Sequence, residues 1–96
     1  MLTHKNIGHA GRLGNQLFQI AILKVCSYKT GYEVVLPTDL HDRYHHGQKC
    51  LLNNFIFKDI TYDTLRIKYL YSERRGHDFD ERIFTVPDNT DFEGYF

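Results

Sequence analysis

The spacing of apolar and polar positions changes rhythm along this chain, and each rhythm predicts an element. Leu2 to Gly8 reads as a short strand ending in a glycine. From Leu13 or Gly14 to Thr30 the period is helical. Leu13, Leu17, Ile20, Ala21 and Tyr28 share one face, while Phe18, Ile22 and Val25 widen it. So broad an apolar surface predicts a helix packed on more than one side. Gly31 supplies a stop, and Lys24 and Lys29 suit the negative end of the helix dipole. Tyr32 to Leu36 is a β-rich run closed by Pro37.

Strand, glycine turn, helix, glycine and strand in succession make a βαβ unit. The two strands, Leu2 to Gly8 and Glu33 to Leu36, are expected to be parallel neighbours joined by a right-handed crossover. The fold class is therefore α/β, and the unit reads as the opening of a partial Rossmann-like domain. Beyond Pro37 the pattern weakens. Thr38 to Lys49 is polar and reads as a loop or frayed helix, and Leu51 to Phe57 is apolar but ambiguous. Leu65, Ile67, Tyr69 and Tyr71 alternate with Arg66, Lys68 and Leu70 as in a half-buried strand. Ser72 to Asp80 is charged and expected in solvent, whereas Phe92 to Phe96 resembles a strand entering a core.

Composition supports one small folded unit: of 96 residues, 42% are hydrophobic and 15% aromatic, which suffices for a core. Twelve basic residues balance twelve acidic ones, so the basic footprint of a nucleic-acid binder is missing. The longest apolar run, Ile20 to Leu23, cannot span a bilayer. Met1 to Gly8 contains His4, Lys5 and Asn6 in place of a leader's apolar core. Cys26 and Cys50 form no disulfide framework, and Cys26 falls in the helical run as a buried thiol. A reduced, cytoplasmic setting is the expectation.

Gly8-His9-Ala10-Gly11-Arg12-Leu13-Gly14-Asn15 joins the first strand to the helix with three glycines in seven positions. Unpaired N–H groups at a helix N-terminus favour an anion. Arg12 adds a guanidinium fork and Asn15 an amide donor. A tight turn with Arg12 in solvent and Asn15 capping the helix accounts for the same residues equally well.

The string Gly11-Arg12-Leu13-Gly14-Asn15-Gln16-Leu17-Phe18-Gln19 resembles the opening motif of glycosyltransferase family 11, the α-1,2-fucosyltransferases, in which G-x-L-G-N-Q-x-F-Q follows the first strand. A related G-R-F-G-N-Q string opens the protein O-fucosyltransferases. Gly31 to Leu36 is similar to the family's second strand. Phe79-Asp80, Ile83, Asp88-Asn89-Thr90 and Phe92-Glu93-Gly94-Tyr95-Phe96 resemble the segment leading into its G-Y-F-Q-S-E-K-Y-F motif.

The resemblance implies that residues 1–96 are the N-terminal part of a GT-B-type enzyme, truncated at the C-terminal end. It implies transfer of fucose from GDP-fucose to a galactoside-type glycan, with inversion and without a metal or other cofactor. Arg12 would stabilise charge on the leaving diphosphate, and Gly11, Gly14, Asn15 and Gln16 would join it in binding the donor. The family's H-x-R-R-x-D nucleotide motif has no counterpart here, so the fragment alone is expected to be inactive. Ser72-Glu73-Arg74-Arg75-Gly76-His77-Asp78 lacks the leading His and precedes Gly94-Tyr95-Phe96, the wrong order. Membrane association through the acceptor pathway is compatible with the cytoplasmic setting.

Several rivals are weaker. Asp78-Phe79-Asp80 has the D-x-D form of metal-dependent transferases, a pattern common by chance. His41, His45, His46 and Cys50 could ligate zinc, but a polar loop explains them as simply. The dinucleotide fingerprint needs a glycine two after the first, where Ala10 stands after Gly8-His9. The remaining alternatives are a non-catalytic glycan- or partner-binding remnant and an unrelated nucleotide-binding Rossmann-like domain.

Overall fold

A computed structural model of the chain describes residues 1–9, 13–45, 48–49, 52, 57–73 and 81–94. Five strands form one sheet: β1 (Leu2–Thr3), β2 (Val34–Leu36), β5 (Ile60–Tyr62), β6 (Tyr69–Ser72) and β7 (Thr90–Glu93). Their order is β5-β2-β1-β7-β6, and every neighbouring pair is parallel. The helix α1 (Leu13–Thr30) connects β1 to β2, as the βαβ reading requires. A short antiparallel pair, β3 (Tyr44–His45) and β4 (Gln48–Lys49), follows a 3₁₀ turn at Leu40–Asp42. The arrangement is α/β and compatible with a Rossmann-like order.

β7 starts at Thr90, two residues before the expected strand, and the bounds of β1 and β6 differ from the sequence reading for local reasons. β1 ends at Thr3 because side chains occupy the backbone groups that follow. Asp91 accepts the Lys5 N–H at 2.7 Å, and Arg43 donates to the carbonyls of Lys5 and Ile7. The Ile7 N–H meanwhile turns back to the His4 carbonyl at 3.1 Å. β6 begins at Tyr69 rather than Leu65, because residues 63–68 carry the chain from one sheet edge to the other. β5 was missed by the pattern since it is an edge strand with only Ile60 partly buried.

The helix runs to Thr30 and stops at Gly31, whose φ of +81° and N–H bond to the Ser27 carbonyl close the last turn. Its buried stripe is Gln16, Gln19, Ile20, Leu23 and Cys26. The expectation of packing on more than one side is corrected: Phe18, Ala21, Val25 and Tyr28 are exposed. Leu2, Val34, Leu36 and Phe92 meet Ile20, Leu23 and Cys26 in the core, joined by Ile83 from the 3₁₀ segment Glu81–Thr85. Tyr71 packs edge-on against Phe92 at 5.6 Å. By strand alternation, Thr3, Val35 and Asp91 turn to the other face of the sheet, where they too are buried. Burial pushes the Cys26 thiol up to about 11, so it stays protonated and packs as a small apolar group.

Leu23 is fully buried while Phe18 is 63% exposed, which separates two otherwise similar truncations. Leu23→Ala is expected to cost ~2–5 kcal/mol in urea unfolding, and Phe18→Ala no more than ~0.5 kcal/mol. Equal losses would contradict this assignment of the helix faces.

Candidate functional site

The C-terminal ends of β1 and β7 lie side by side, and α1 begins beside them. Crevices outside the carboxyl ends of parallel strands are where α/β folds bind ligands. Polar side chains build this end. His4 follows β1 and is buried, and its Nε2–H donates to the Gly94 carbonyl at 2.8 Å. Gln19, fully buried on the second turn of α1, donates Nε2–H to the same carbonyl at 3.0 Å. Gly94 follows β7 directly with a φ of +141°, where a side chain is strained. A Cβ there would also meet the Glu73 side chain at 2.5 Å, so glycine is required twice over.

The loop after β1 is fixed from the side. Arg43 is buried and donates Nη1–H to the carbonyls of Lys5 and Ile7, the latter at 2.9 Å. Its Nη2–H and Nε–H both reach Asp39 Oδ1, at 2.9 and 3.3 Å. Hydrogen bonding to Arg43 holds the Asp39 carboxyl below its ordinary range. Gly8 then turns the chain with a φ of +85°.

The predicted site residues fall into three groups. Gly11 and Arg12 lie outside the described residues. Gly14 and Asn15 are exposed in the first turn of α1, and an added Cβ at Gly14 meets nothing within 4 Å. Asn15 is the third residue of the helix, so the capping role considered for it is not the one it plays. Gln16, the next residue of the helix, is buried at 3% exposure. Among the described residues no group of three His, Cys, Asp or Glu comes together to hold a metal. His46, Cys50, Asp78 and Asp80 lie outside them.

Sequence reasoning missed His4, Gln19 as a structural tie, Arg43 and Asp91. Gln19 was inside the quoted motif, but nothing in its spacing marked it as the bond to β7. Arg43 sits in a polar stretch where no pattern distinguishes a buried guanidinium from a solvated one. A cavity of about 600 Å³ lies elsewhere, between the amino ends of β1, β2 and β7 and the stretch that follows β5. It is lined by Met1, Glu33, Val35, Asp63, Thr64, Arg66 and Asn89, and contains no predicted site residue. The carboxyl end of β1 and β7 is preferred as the candidate because ligands of parallel α/β sheets bind at that end of the strands.

No helix among the described residues is long and apolar enough to cross a membrane. In comparison with known proteins, the chain matches no family model, no curated protein and no solved structure.

Asp91 gives the site a measurable pH dependence. Burial raises its carboxyl above the ordinary range, against the opposing pull of the Lys5 N–H, His4 and the Lys5 ammonium 4.0 Å away; Glu93 adds to the rise. A carboxyl raised on folding stabilises the native state below its unfolded pKa, and that contribution is lost as pH rises through the folded value. Asp91→Asn keeps an acceptor for Lys5 without the charge. It is expected to melt higher than the unmodified chain at about pH 7.5 and together with it below about pH 4. A lower melting temperature for Asp91→Asn at the higher pH would contradict the assignment.

Proposed function

We propose that the chain belongs to a sugar-nucleotide transferase of the α-1,2-fucosyltransferase type, inactive by itself, and that the carboxyl end of β1 and β7 receives the diphosphate of GDP-fucose. One observation carries the reading: the Gln19 amide bonds the Gly94 carbonyl. Gln19 closes the glycine-turn motif and Gly94 belongs to the second resembling stretch. The two segments that suggested the family from sequence therefore form one structural unit at the end of the sheet where such a donor would lie.

The chemistry asked of this unit is stabilisation of a leaving group. As the glycosidic bond of a β-linked donor breaks, negative charge grows on the diphosphate. The N–H groups opening α1 and the guanidinium of Arg12 would meet that charge, and Asn15, exposed in the same turn, would donate to phosphate or fucose. Gln16, buried behind them, would hold the turn against the sheet. A galactoside hydroxyl attacking from the opposite side of the sugar gives inversion to an α-1,2 product.

Titration of the chain with GDP-fucose, GDP, GMP and NAD, followed by amide chemical shifts, tests the reading. GDP and GDP-fucose are expected to perturb residues of the Gly8 to Gln16 segment saturably, and GMP weakly. Arg12→Ala should weaken the diphosphate ligands by about tenfold or more, since a charge-assisted bond contributes ~1.5–3 kcal/mol. Arg12→Lys should recover only part of that, because an ammonium lacks the fork. No saturable change with either GDP ligand, or preferential binding of NAD, would sink the proposal. The same chain incubated with GDP-fucose and a galactoside is expected to yield no fucosylated product, as it carries no H-x-R-R-x-D element.

A further inference from the structure

Helix α1 carries a second apolar stripe, which the fold leaves in solvent. Phe18 is 63% exposed, Val25 45% and Tyr28 88%, with exposed Ala21 between them. These positions step by three, four and three residues, the spacing of a coiled-coil seam. With Phe18 and Val25 at a positions and Ala21 and Tyr28 at d, the flanking g and e positions in the second half of the helix are Lys24 and Lys29. Both lysines are exposed. The corresponding pair one heptad earlier, Leu17 and Ile22, packs towards the core instead. The helix has no Asp or Glu anywhere along its length, so the rim of the second half carries only positive charge, Lys24 on one side and Lys29, its ammonium 5.8 Å from the Phe84 ring centroid, on the other.

We propose that this stripe is a docking surface for an amphipathic helix of a partner protein, with an apolar a/d seam flanked by glutamate or aspartate at e and g. The charge pattern selects against a second copy of this chain. Parallel pairing would set Lys24 against Lys29 of the other helix, and antiparallel pairing would set each lysine near its own counterpart. Like charges across e and g disfavour both registers. An anionic bilayer would satisfy the lysines but suits the shape less well. An interfacial helix sinks a broad apolar face into the headgroup region, whereas here most other apolar residues of α1 face the sheet. A single facing helix fits a seam one residue wide. The inference does not depend on the diphosphate reading.

The test uses the full chain and two synthetic helical peptides of about three heptads each. Both carry Leu and Ile at a and d; one has Glu at every e and g, the other Lys. Fluorescence anisotropy is expected to give saturable binding of the Glu peptide, at least about tenfold tighter than the Lys peptide and weaker at high salt. Phe18→Ser combined with Tyr28→Ser should abolish it while leaving the thermal melt unchanged, since both side chains are exposed. Lys24→Glu combined with Lys29→Glu should reverse the preference towards the Lys peptide, a result that loss of folding cannot produce. Equal binding of the two peptides, or none up to about 1 mM, overturns the proposal. So does co-sedimentation with phosphatidylserine-containing vesicles without peptide binding, or a concentration-dependent dimer in place of it.

Discussion

The carbonyl of Gly94 is the joint on which this architecture turns. This partly buried carbonyl, just past the end of β7, has two lone pairs to fill. Leaving it bare would cost more than any single hydrogen bond returns. Here one donor comes from His4, just past β1, and the other from Gln19 on α1. Strand β7, its neighbour β1 and the crossover helix are thereby locked at one point. Gly94 itself has a positive φ, and the Glu73 side chain closes the space a Cβ would need. Local backbone geometry, sheet order and helix placement are thus a single arrangement.

That joint also explains what could and could not be read from the sequence. The βαβ unit was legible because glycine punctuates both ends of an 18-residue helix whose period is plain. The orientation of the helix was not. Its apolar residues spread over so broad an arc that hydrophobicity alone predicted packing on more than one side and could not separate Ile20 and Leu23 from Phe18 and Tyr28. The structure buries the stripe that includes Gln16 and Gln19, because the sheet end beneath its first turns is polar and needs donors. A periodicity argument treats a glutamine as a vote for solvent; a strand end that needs a hydrogen-bond donor reverses that vote.

The edges of the sheet were the least legible part for a related reason. β5 and β6 each bury one face at most, and Tyr69 and Leu70 remain 52% and 60% exposed. Alternation marks a strand only when one side is reliably apolar, so Leu65 to Tyr71 suggested a longer strand than forms. Asp91 illustrates the complementary difficulty within the centre of the sheet. Its carboxylate looks like a surface group in sequence, yet its register opposite Thr3 places it on a covered face. Of the candidate site, the exposed first turn of α1 was visible in advance as a motif. The side chains that support it come from remote parts of the chain and had no local signature.

Arg43 has a kinetic meaning. It joins the carbonyls of Lys5 and Ile7 to Asp39, tying the stretch just after β1 to a turn some forty positions onward. A loop held in this way gives up its conformational freedom when the chain folds, not when a ligand arrives. The stretch leading to Gly8 is therefore set by the fold itself, and an association at this end of the sheet would need no ordering of it, leaving its rate to diffusion and charge.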